Sequence, residues 1–213
     1  MSNPPPAPPP GPPPKPLIPP TSIKPPPPTL TVPSTPPEKN SILFSLLTYN
    51  GHPFMDHWEF FLSPSAPSLP SPTRGVSLSP AGNVHTGFWL EVSRGRDISA
   101  QNPPDRVVPL QWISHDLFGG EWDEALKQGN GELEGNLERK PVLIGGFEGV
   151  LSHVEMPGKS LRAVNDDESG RRGDGKRIRQ RNCQTWVVEC VEELVRRGLV
   201  DERVGEYLRE TRQ

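Results

Sequence analysis

Cysteine is scarce in this chain: two among 213 residues, Cys183 and Cys190. Two thiols seven positions apart on one helix stand roughly 10 Å apart along its axis, too far to bridge. A disulfide framework is thereby excluded, and free thiols in a reducing compartment are expected. Long apolar runs are also missing. Ile42 to Leu47 is short and interrupted, well below the roughly 20 residues of a membrane span. The first residues lack the charged start and apolar stretch of a secretory leader, so an intracellular, cytoplasmic protein is expected. Net charge is small, −3, and argues against a coat for nucleic acid. No His or Cys pair has the close spacing of a zinc site. The glycines at 145–146 and 170–175 lack the strand and helix that frame a phosphate loop. No metal and no cofactor are therefore expected.

Proline, by contrast, is abundant and unevenly placed. Nineteen of the 30 prolines fall in the first 37 residues. Residues 1–39 are read as a disordered, partly polyproline II arm, because proline without periodic apolar partners builds neither helix nor sheet. Residues 4–37 could offer polyproline faces to SH3- or WW-type domains. The remaining residues, 40–213, suffice for one compact domain.

Within that domain, Ser41 to Tyr49 reads as an apolar strand closed by the turn signal Asn50-Gly51. Asp56 to Leu62 is a second strand, whose alternation sets His57, Glu59 and Phe61 on one face and Trp58, Phe60 and Leu62 on the other. Residues 63–83, rich in proline and serine, read as a loop insertion at the tip of a hairpin completed by Val84 to Val92. Residues 107–113 read as a strand or an apolar patch, 122–127 as a short helix, and Pro141 to Val150 as a buried strand with a glycine bulge or close approach. A second, polar insertion spans 165–181, and its basic residues 171–181 could steer an anionic substrate.

After it comes Asn182-Cys183-Gln184-Thr185-Trp186. Asn182 is a favoured N-cap, and apolar positions then recur at helical spacing up to Gly198, a C-cap. Cys183 falls in the first turn, where free N–H groups and the helix dipole favour a thiolate. Cys190, two turns further in, reads as core. Asp201 opens a short amphipathic helix. Cysteine acyl-transfer chemistry needs a thiolate, an imidazole to hold its proton and a polar group to orient the ring. His57 and His85, on adjacent strands, supply candidates if the helix packs on their face.

His57-Trp58-Glu59-Phe60-Phe61, Gly82-Asn83-Val84-His85 and Asn182-Cys183-Gln184-Thr185-Trp186 resemble motifs of circularly permuted papain-like proteins. That group includes the lecithin:retinol acyltransferase family and the PPPDE peptidases, and a fungal domain family of unknown function has a similar layout. The resemblance implies an α+β fold, an antiparallel sheet packed on a C-terminal cysteine-bearing helix. It implies Cys183 as nucleophile, His57 as base, His85 as the orienting residue, and Asn182 and Gln184 beside the substrate and oxyanion. The activity implied is hydrolysis or acyl transfer on an ester, amide or isopeptide bond. Gln184-Thr185 stands where the acyltransferases carry Glu-His. The alternative is a catalytically inactive interaction module working through the arm and the basic loop.

Overall fold

The computed structural model describes residues 29–65, 73–83, 87–100, 102–119, 122, 126, 145–158 and 181–213. The fold is α+β. Five strands, β1 (Ile42–Tyr49), β2 (His57–Pro64), β3 (Arg74–Asn83), β4 (Gly87–Asp97) and β5 (Arg106–Ile113), form one sheet in the order β4-β3-β2-β1-β5. Every pairing is antiparallel. Among the described residues, three α-helices with defined bounds follow: α1 (Gly145–Ser152), α2 (Cys183–Arg196) and α3 (Glu202–Thr211).

The expected alternation of β2 holds. Trp58, Phe60 and Leu62 join Ile42, Phe44, Leu46, Val76 and Leu78 in the main core, which the helices cover. Phe61 turns to a small second core with Leu47 and Ile98, against which Tyr49 packs. Helix α2 lays Trp186, Val187, Val191 and Leu194 on the larger core, with the Trp186 ring 6.0 Å from that of Phe60. Its cap is as expected: the Asn182 side chain accepts from the Thr185 amide at 2.9 Å, filling one vacancy of the first turn. Gly198 takes φ +70° just past the end, and Asp201 caps α3.

Three expectations need correction. The span 63–83 is not simply a loop, because Arg74–Asn83 forms β3. Val76 and Leu78 reach the main core while Ser77 and Ser79 are buried opposite, so small polar residues occupy one face of a true alternation. Pro80 is tolerated because β3 pairs with β2 only from Phe60↔Leu78 to Leu62↔Val76, leaving Pro80 beyond that ladder. Next, residues 145–150 are helical, not extended. Phe147, Val150 and Leu151 are buried at i, i+3 and i+4, the spacing of a helix face. The close approach expected of the glycines is real, since a Cβ on Gly145 would lie 2.4 Å from the Leu117 carbonyl oxygen. Finally, the proline-rich arm expected to run free to residue 39 is docked over its last part. Leu30 packs on the core, and the Trp112 indole N–H donates to the Pro33 carbonyl at 2.7 Å.

Residues 107–113 resolve into a strand, and Trp122 is helical and buried. The polar insertion at 165–180 lies outside the described residues. Among the described residues, no helix is long and apolar enough to cross a membrane.

Candidate functional site

A cleft of about 910 Å³ opens at the end of the sheet where β2 begins and α2 starts. His57 and Cys183, 126 positions apart in sequence, both border it. The helix does not lie on the histidine's face, as the sequence suggested. It lies on the Trp58 face, because its apolar stripe is matched to the larger core. Cys183 therefore meets β2 at its first residues. The thiol donates to the Asp56 carbonyl at 3.9 Å, and the Trp58, Gln184 and Cys183 backbone N–H groups are turned to the sulfur. Among the described residues, no hydrogen bond joins the thiol to the His57 ring.

Burial pushes the Cys183 thiol above its ordinary 9.0, against the pull of those backbone N–H groups. The expected thiolate is thus overruled: desolvation outweighs the helix start. Burial also lowers His57 below its ordinary 6.5, with Glu59 and Glu91 opposing and Arg96 reinforcing. At neutral pH the two groups rest as thiol and neutral imidazole. Cys190, buried deeper, is raised further, and both cysteines are free.

Gln184 is fully buried. Its amide donates to the Asp56 carbonyl at 2.9 Å, and its oxygen accepts from the Gln213 amide at 2.9 Å. Its side chain therefore ties the residue before β2 and the chain end beyond α3 to the start of α2, while its backbone N–H is turned to the Cys183 sulfur. Asn182 borders the cleft, and its side-chain N–H₂ donates to the Met55 sulfur at 3.4 Å. Arg181, the described member of the basic run, is paired with Glu155 and Glu189. His85 lies outside the described residues. Among the described residues, no three His, Cys, Asp or Glu side chains converge as a metal would require.

A family described as "Family of unknown function (DUF6540)" matches residues 44–201. The chain belongs to this family. No curated protein and no solved structure matches it. The family match runs from within β1 to the N-cap of α3 and so contains both His57 and Cys183.

The structure also brings forward residues that sequence reasoning missed. Tyr49 pairs with His57 across β1 and β2, ring centroids 6.0 Å apart. Glu59, only 4% exposed, accepts from the Tyr49 hydroxyl at 2.5 Å and from Arg96 at 2.7 Å. A signal existed: Glu59 is a lone carboxylate in an apolar run, two residues beyond His57. At the cleft mouth, Phe54 is 85% and Met55 47% exposed.

Proposed function

We infer that this protein is a cysteine-dependent hydrolase or acyltransferase, acting on an ester, amide or isopeptide carbonyl through a thioacyl intermediate. The observation that carries the reading is the shared cleft, bordered by a helix-start cysteine and a strand histidine. The order of these residues, and a sheet packed on the cysteine-bearing helix, support relating the fold to the permuted papain-like group.

Substrate entry would expel water from the cleft and bring the neutral pair into contact. His57 takes the Cys183 proton as the sulfur attacks the carbonyl carbon, forming the S–C bond and a tetrahedral oxyanion. Backbone N–H groups at the start of α2 are available to that oxyanion. Collapse breaks the bond to the leaving group, which receives the proton from His57. Water or a second acceptor, deprotonated by His57, then releases the acyl group and regenerates the thiol. Exposed Phe54 and Met55 suit a substrate with an apolar group beside the carbonyl.

A second reading, an inactive interaction module, draws on the protonated resting thiol and on the missing hydrogen bond to His57. Its partners would be SH3- or WW-type domains reading residues 4–37. An acyl-directed electrophilic probe separates the two. Under the enzyme reading, labelling of Cys183 is abolished in Cys183→Ala and falls roughly 10²- to 10⁴-fold in His57→Ala. Equal, slow labelling of Cys183 and Cys190, unaffected by His57→Ala, would sink the enzyme. A panel of isopeptide-linked and lipid esters then sorts substrates.

A further inference from the structure

The role of orienting or charging the His57 ring was expected of His85, yet the described residues around His57 hold another candidate. Among the described residues, four groups stand around the ring: Tyr49 from β1, Glu59 from its own strand, and Glu91 and Arg96 from β4. Glu59 and His57 stand two residues apart on one strand face, about 7 Å between Cα atoms. The carboxylate is clamped. Tyr49 and Arg96 Nη1 both donate to its Oε1, at 2.5 and 2.7 Å, while Arg96 Nη2 donates to the Tyr49 oxygen at 2.8 Å. Arg96 Nη1 also reaches the Ser77 hydroxyl at 3.0 Å. Glu59 Oε2 takes no hydrogen bond among the described residues.

Such a cluster is an expensive way to hold a sheet together. A buried ion pair contributes little net stability compared with apolar residues of similar volume, and breaking it strands a charge. Here it stands beside an apolar core of Leu47, Phe61 and Ile98 that could have been extended. What the cluster does supply is a carboxylate in a water-poor place, on the strand face of His57, the imidazole that among the described residues lines the cleft with Cys183. Burial keeps Tyr49 protonated and hence a donor. Arg96, 2.7 Å from the carboxylate, cancels part of its field at the ring.

We propose that Glu59, held by Tyr49 and Arg96, is the positioning residue of His57: it stabilises the imidazolium formed when the ring takes the thiol proton. Its catalytic meaning rests on the reading of His57 as a base. The coupling itself does not. Glu59 supports the charged ring more than Arg96 opposes it, so removing the carboxylate drives the ring's proton affinity further down. Loss of structure would do the reverse, returning it toward 6.5.

The test is an NMR titration of the His57 ring in the full chain, with probe labelling of Cys183 measured alongside. Glu59→Gln lowers the His57 midpoint and slows labelling at pH 7 roughly 10- to 100-fold. Glu59→Asp restores much of both. Because Glu59→Gln leaves Arg96 buried without its partner, the double variant Glu59→Gln/Arg96→Gln is the safer fold; there the midpoint falls by a smaller amount. A midpoint that stays at the wild-type value in both variants, or rises in both, overturns the proposal. A midpoint that falls as stated, in a protein whose wild type labels no faster at Cys183 than at Cys190, upholds the Glu59–His57 coupling and removes the catalytic reading instead.

Discussion

Cys183 and His57 are displaced in opposite directions, and each displacement favours the uncharged form. The thiol is raised above 9.0 and the imidazole lowered below 6.5, chiefly by burial. The consequence for stability follows from proton counting. Between 6.5 and the lower folded value of His57, the unfolded chain binds more protons, so this contribution is lost as pH falls through that window. Above 9.0 the folded chain keeps the Cys183 proton longer, and stability falls as pH rises toward its folded value. Cys190 adds to the alkaline loss. Urea midpoints measured across pH should therefore decline on both sides of a plateau between 6.5 and 9. His57→Gln should flatten the acid side, and Cys183→Ser should remove part of the alkaline side. A native-state thiol that instead alkylates with a midpoint near 7 would contradict the geometry directly.

Among the elements, β3 shows most clearly what composition conceals. Gly75 lies where a Cβ would stand 2.2 Å from the Leu62 carbonyl oxygen and 2.8 Å from the Phe61 ring. The strands approach there at a distance only glycine allows. Gly75→Ala should cost about 1–3 kcal/mol, as overpacked sites do, seen as a lower urea midpoint with an unchanged slope. Strands β1 and β2, the caps of α2 and α3 and the C-terminal glycine of α2 were legible in sequence, because periodicity and capping are local signals. Strand β3 was not. Its serines and proline resemble a loop until the neighbouring strands bury them, and Arg96 bonding Ser77 is visible only in three dimensions. Helix α1 was mistaken for a strand because a short apolar run fits both periods. The candidate site was half legible: sequence singled out His57 and Cys183, which the fold brings to one cleft, but the helix's choice of sheet face and the Glu59 clamp depend on packing between distant segments.

For the whole molecule, the proline-rich arm is in part a component of the domain. The bond from Trp112 to Pro33 ties residue 33 to strand β5. A single neutral hydrogen bond contributes about 1 kcal/mol, so Trp112→Phe should speed tryptic cleavage after Lys39 about fivefold. Thermal stability should hardly change. Cleavage at the wild-type rate would show that packing of Leu30, and not the indole, holds the segment. If SH3- or WW-type domains do read the arm, those needing residues 30–37 should bind the Trp112→Phe protein more tightly than the wild type.

The brace around Gln184 joins Asp56 to Gln213, residues 157 apart in sequence, and Asp56 to Gln184, 128 apart. Contacts of such separation are made late in folding, since closing a long loop is not rewarded until most of the chain is already in place. The walls around the sulfur should accordingly be among the last parts to assemble. Until they do, Cys183 remains an ordinary thiol, open to alkylation. Its protection, followed by pulse labelling during refolding, would serve as a clock for completion of the native state.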